Sequence, residues 1–133
     1  MKTEFFLHII PPTKTDQQKR LGVSKKGKAF VYKDAELNAV RSKLMANLAQ
    51  HIPKQKYTTA VRTITKWCFP ITGKHQNGEY KTSRPDTDNL QKMLKDVMTD
   101  LGFWSDDAIV ASEIIEKFYS NVPGIFISIE ELN

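Results

Sequence analysis

Apolar residues between Leu90 and Leu101 recur at steps of three and four: Leu90, Met93, Leu94, Val97, Met98 and Leu101 predict one amphipathic helix. Gly102 follows the last of them and suits the left-handed conformation that ends a helix. A second stripe, Leu37, Val40, Leu44 and Leu48, predicts a helix running to Gln50, with Asp34 placed to cap its start. Where residues turn aromatic and β-branched, the pattern predicts strands. Glu4 to Ile10 is the first, halted by Pro11-Pro12, which remove backbone donors that a ladder needs. Tyr57 to Phe69 is the second, with Arg62 and Lys66 on one side and Val61, Thr63, Thr65 and Trp67 on the other. Ile109 to Tyr119 and an alternating Ile125, Ile127, Ile129 complete the set after a Pro123-Gly124 turn. The order β-α-β-α-β-β predicts an α+β fold: one domain over residues 1–133, a small mixed sheet packed with two main helices. Residues 13–28 show no period and read as a basic loop, and Pro70 to Ser83, with Gly73 and Asn77-Gly78, reads as a turn-rich one.

Composition changes this picture in two ways. No stretch approaches the roughly 20 apolar residues that cross a bilayer, MKTEFFLHIIPP is a poor secretory signal, and the single cysteine, Cys68, cannot form an internal disulfide. A bacterial cytoplasm is therefore expected, for a protein encoded by the cell or by a phage. Charge is divided unevenly: residues 1–85 carry 17 basic and 5 acidic side chains, residues 86–133 carry 3 and 10. The first part suits a polyanion such as nucleic acid, through phosphate neutralisation and counterion release. The second gathers carboxylates, and six of them fall between Arg84 and Val110.

Within that stretch, RPDTDNLQKMLKDVMTDLGFWSDDAIV, Asp88 and Lys92 project opposite the apolar stripe of the helix. Asp86, in an extended lead-in after Pro85, points the same way as Asp88, and Asp106-Asp107 arrive one helix and a tight turn later. If the following strand returns beside the start of the helix, one of that pair meets the first two. Clustered carboxylates repel unless a cation neutralises them. All-oxygen ligation without His or Cys selects a hard metal, Mg²⁺ with Mn²⁺ as a substitute, over Zn²⁺. Such an ion suits phosphodiester hydrolysis. Plainer explanations exist for each part: Asp88 with Gln91 matches a capping box, and Ser105-Asp106-Asp107 matches an Asx turn. An EF-hand loop from Asp86 is excluded, because Leu90 falls at an oxygen-ligand position and Gln91 where glycine is required. His8, His51 and His75 are isolated, and Cys68 reads as strand filler.

The stretch from Arg84 to Lys117 resembles the signature of the RusA family of Holliday-junction resolvases, the crossover junction endodeoxyribonucleases. There a D-x-D-N-L-x-K segment begins a helix, an acid recurs four residues after the lysine, and an aromatic and an Asp-Asp pair precede a strand. Asp86, Asp88, Asn89, Leu90, Lys92, Asp96, Gly102, Trp104, Asp106 and Asp107 supply it in that order. Phe5 to Pro12 more loosely resembles the family's first strand and double proline. The chain departs from the pattern at Ile109, where the family usually has glutamine, and in its lysine-rich loop after the double proline.

The resemblance implies Mg²⁺ on Asp86, Asp88 and Asp107, Lys92 as the essential basic residue, and Asp106 in an auxiliary place. Asp96, one turn after Lys92, is a further auxiliary candidate. It also implies a homodimer that makes paired symmetrical nicks in a four-way DNA junction, leaving 5′ phosphates, in recombination and repair. Lys25, Lys26, Lys28, Arg62, Lys66, Lys74 and Lys81 form the pool of DNA backbone contacts. Two alternatives stay open at this point: a general nuclease for flaps or other branched DNA, and a junction-binding module without catalysis.

Overall fold

The strands and long helices form in the expected order: β1 (Lys2–Leu7), α1 (Gly27–Leu48), β2 (Val61–Pro70), α2 (Thr87–Leu101), β3 (Val110–Ser120) and β4 (Gly124–Glu131). The structure, a computed structural model, describes residues 1–13 and 27–133, apart from the side chains of residues 27–34. The expected basic loop therefore lies largely outside the described residues, Lys25 and Lys26 with it, as does the side chain of Lys28.

Three boundaries differ most from the pattern. Helix α1 begins at Gly27, so Asp34 lies inside it and does not cap it. Residues 28–33, KAFVYK, contain no breaker, and a capping preference does not stop a helix that can continue. Strand β1 ends at Leu7, leaving His8 outside. Strand β2 begins at Val61, because Tyr57 is used elsewhere: its N–H donates to the Phe103 carbonyl at 2.9 Å, and its hydroxyl shares a 2.7 Å hydrogen bond with Thr3 Oγ1. Tyr57 thus braces the exit of α2 against β1.

The four strands form one mixed sheet in the order β1-β4-β2-β3. β4 runs antiparallel to both β1 and β2, whereas β2 and β3 are parallel, with α2 in the crossover that parallel neighbours require. Alternation along β2 buries Val61, Thr63, Thr65, Trp67 and Phe69 on the helix side and turns Arg62, Ile64, Lys66 and Cys68 to the other, as its pattern predicts. Leu44 and Leu48 of α1, Leu90, Met93, Leu94 and Val97 of α2 and Ile125, Ile127 and Ile129 of β4 make one core with Trp67. At about 25 cal/mol per Å² of apolar surface removed from water, that burial is what holds α2 on the sheet.

Gly124 lets β1 lie close to the start of β4. A Cβ there would come within 2.3 Å of the Phe6 ring and 2.5 Å of the Leu7 carbonyl oxygen. Among the described residues, no helix is long and apolar enough to cross a membrane.

Candidate active site

The first turn of α2 begins the site. Asp86 occupies the N-cap position in an extended conformation, yet its side chain makes no capping hydrogen bond. Asp88 is therefore the second helical residue, and the capping box with Gln91 does not form. Gln91 turns inward instead, 2 % exposed, and accepts a 2.9 Å hydrogen bond from Thr65 Oγ1. Thr65 in turn accepts from Trp67 Nε1 at 3.3 Å, and Gln91 Nε2 reaches Thr63 Oγ1 at 3.5 Å. This buried polar chain fastens the first turns of α2 to β2 and leaves Asp88 and Lys92 exposed on the outer side. Helix α2 ends as expected, with Gly102 at φ 89° donating to the carbonyls of Met98 and Thr99.

Gln91→Leu is accordingly expected to remove the acceptor of the buried Thr65 hydroxyl and the donor that reaches Thr63, leaving Thr65 only its bond from Trp67. It should cost about 1–3 kcal/mol. Urea unfolding would show this as a lower midpoint with an unchanged slope; an unchanged midpoint would mean that the network carries no stability.

After α2, the two adjacent acids separate in role. Asp106 caps the short 3-10 turn Asp107–Ile109, its Oδ1 accepting from the Ala108 N–H at 2.9 Å. Asp107 is half-buried and faces a depression of about 340 Å³ that Asp88, Gln91, Lys92, Asp96 and Glu113 also line. The turn thus brings one member of the pair to Asp88. Ile109 packs against the core and takes no part in that lining.

Asp86 stands apart from this lining, two residues before Asp88. Among the described residues, no group of three His, Cys, Asp or Glu side chains lies close enough to hold one ion. The structure therefore brings Asp88 and Asp107 to one depression but does not gather Asp86, Asp88 and Asp107 into a ligand cluster. Among the described residues, no hydrogen bond or ion pair occupies the side chains of these three acids or of Lys92. Asp96 also lines a neighbouring depression with Arg41, Asp100 and Asp106, where Arg41 pairs with Asp100 at 3.8 Å.

Three residues near the site take roles that spacing along the chain does not give, because they depend on β3 lying beside β2. Lys95 and Glu113 form a 2.5 Å ion pair across the rim, tying α2 to β3. Lys117, on the helix side of β3, donates from Nζ to the carbonyls of Ser83 at 2.7 Å and Pro85 at 2.8 Å. Partial burial and the nearby Lys81 push the Lys117 ammonium below its ordinary pKa, and Asp86 acts in the opposite direction.

The expected DNA contacts fall in different places. Lys74 is exposed in the loop after β2. Lys81 donates to Ser83 Oγ at 2.6 Å and lies 5.1 Å from the ring centres of Phe69 and Tyr119. Arg62 and Lys66 face the opposite side of the sheet from the depression, Arg62 donating to Ser112 Oγ at 3.0 Å and Lys66 lying 5.8 Å from the Phe126 ring centre. The histidines have ordinary surroundings: His8 meets Phe6 edge-on, His51 stacks on Phe5, and His75 stacks on Tyr119 and pairs with Glu79. Burial pushes the Cys68 thiol up, against the pull of Lys66, which does not suit a nucleophile.

These features define a small α+β protein whose first turn of α2 and following 3-10 turn offer carboxylates to one surface depression. The profile described as endodeoxyribonuclease RusA matches residues 10–130. A relative named crossover junction endodeoxyribonuclease rusA, from Lactococcus phage r1t, is 37% identical over 111 residues, spanning 81% of this chain and 82% of its own. The chain belongs to the RusA family of endodeoxyribonucleases.

Proposed function

We propose that this protein is a Holliday-junction resolvase, cutting four-way DNA by paired nicks. The observation that carries this reading is the meeting of Asp88 and Asp107, from two different elements, at one depression beside Lys92 in a RusA-family chain. Neither carboxylate is occupied by a capping bond or an ion pair among the described residues. The name of the phage relative supports the junction as substrate.

The donor chemistry fits a hard cation. Mg²⁺ commonly takes one or two carboxylates and completes its shell with water and substrate phosphate, so an all-oxygen set around Asp88 and Asp107 is suitable. Asp88 and Asp107 would hold the ion, Mg²⁺ or Mn²⁺, and Asp86, which stands outside the lining of the depression in this structure, would join them as a third ligand from the lead-in to α2. When bound, the ion supplies Lewis-acid polarisation of the phosphate and a lower pKa for a coordinated water. Lys92 places an ammonium beside the same depression, where it offsets negative charge that develops on the phosphate. Asp106 has a positioning role, since its cap shapes the turn that presents Asp107.

The basic excess of residues 1–85 supplies the electrostatic hold on DNA. Lys74 and Lys81 remain suitable backbone contacts, whereas Arg62 and Lys66 would need DNA on the face of the sheet opposite α2. Two nicks placed symmetrically require two sites related by a two-fold axis, so the working form is a homodimer. Its setting is DNA recombination and repair.

An end-labelled four-way junction and a matched linear duplex, each with Mg²⁺ or chelator, test the proposal. Paired Mg²⁺-dependent nicks confined to the junction are expected. Equal cutting of duplex or flap would replace the resolvase by a general branched-DNA nuclease, and binding without cleavage in any metal would leave a junction-binding module.

A further inference from the structure

The segment that delivers Asp86 to the start of α2 has little holding it. Thr82, Ser83 and Arg84 are exposed, and Pro85 alone among residues 82–86 is buried. The segment belongs to neither a strand nor a helix. Among the described residues, no backbone N–H donates to the carbonyls of Ser83 or Pro85. Both carbonyls are taken instead by one side chain, the ammonium of Lys117, at 2.7 and 2.8 Å. The backbone of the same residue is engaged a little upstream, where the Lys81 N–H donates to the Lys117 carbonyl at 2.9 Å. Lys117 therefore grips the segment on both sides of Arg84, one residue short of Asp86.

This grip comes from β3, the strand that follows Asp107. In β3, Glu113 and Ile115 line the depression, and Lys117 is the next residue on the same side of the strand. One strand thus connects the support of Asp86 with the turn that carries Asp107. A lysine suits this place because its ammonium has three donors and can satisfy two carbonyls together. Charge-assisted bonds of this kind are stronger than neutral ones. Apolar filler could pack against Pro85, but it could not hold a carbonyl.

We infer that Lys117 is a positioning residue for Asp86: by holding the carbonyls of Ser83 and Pro85, it fixes the lead-in from which Asp86 is offered to the cation, and so sets the affinity of the site for metal. The inference rests on the reading of Asp86 as a cation ligand. Lys117 touches neither metal nor phosphate in this role. Partners that orient metal ligands typically change metal affinity by about 10- to 100-fold when removed.

The test is Mn²⁺ binding to the full chain, measured by calorimetry and by the loss of the free-ion electron paramagnetic resonance signal. It compares the native protein with Lys117→Met, Lys117→Arg and Asp86→Asn. Lys117→Met is expected to weaken Mn²⁺ binding about tenfold, Lys117→Arg to restore most of it, and junction affinity in chelator to stay unchanged. Cleavage by Lys117→Met should recover at saturating Mn²⁺. Circular dichroism and thermal unfolding establish that each variant is folded; Lys117→Gln, which keeps a shorter donor, replaces the methionine variant if that one is not. Undiminished Mn²⁺ affinity in the folded Lys117 variant, with affinity lost in Asp86→Asn, would overturn the positioning role alone. If Asp86→Asn binds Mn²⁺ as the native protein does, the ligand reading of Asp86 fails and the inference with it.

Discussion

Asp88→Asn is expected to reduce junction cleavage roughly a thousandfold, the several kcal/mol that a Lewis acid contributes, while junction binding in chelator is retained. Asp88 is exposed in the first turn of α2 and faces the depression with Asp107. Its loss removes an anionic donor and leaves only a weaker neutral one. Little stability should be lost, because the carboxylate has no bond to the fold among the described residues and contributes through the helix dipole at most about 0.3–1 kcal/mol. Any change in DNA binding should be toward tighter binding, since one negative charge near the phosphate disappears. Asp106→Asn is the informative companion. Asparagine can still accept from the Ala108 N–H, so this variant should keep its turn and most of its activity. Single-turnover rates on a labelled junction measure both, and equal losses in the two variants would sink the division of roles between Asp106 and Asp107.

Lys92→Ala is expected to lower the single-turnover rate by about 10²–10³, the size of effect seen when one group that stabilises transition-state charge is removed. Its dissociation constant for the junction should change little. Alanine is the best helix former, and Lys92 is exposed, so α2 should remain intact. Lys92→Arg tests whether charge alone suffices; the planar, wider guanidinium should restore only part of the rate. A variant that binds the junction more weakly but cuts at the native rate would reduce Lys92 to a backbone contact.

Much of this site is legible in the sequence because it is local. The stripe from Leu90 to Leu101 orients the helix, and helical geometry alone then places Asp88 and Lys92 outward, where the structure has them. The αL turn at Gly102 is equally local. Residue spacing could not divide the work of Asp106 and Asp107, because either could have capped the turn. The resemblance implies Asp107 as the metal ligand and Asp106 as support; what the structure adds is that Asp106 is the one whose side chain caps the turn, on the Ala108 N–H. What remained hidden depends on distant pairing. Gln91 looked like a capping partner for Asp88, and only the packing of α2 on Thr63 and Thr65 turns it into a buried strut. Lys95, Glu113 and Lys117 acquire their roles from the parallel placement of β3 on β2. Asp34 misled for a different reason. A good cap residue marks a helix start only when the preceding residues cannot extend the helix, and here they do.

The strand order carries a consequence for how the molecule comes into being. β4, near the end of the chain, is the strand that joins β1 to β2. As the chain leaves the ribosome, β1 must wait for over a hundred residues before its partner exists. The pairing of β2 with β3 also must span α2 before any contact rewards the loop closure. Assembly of the sheet is therefore a late event, dominated by contacts distant in sequence, and slow by the standards of helical proteins of similar size. Until then the isoleucines of β4 have no sheet to enter, and the nascent chain exposes apolar surface that invites chaperones or aggregation.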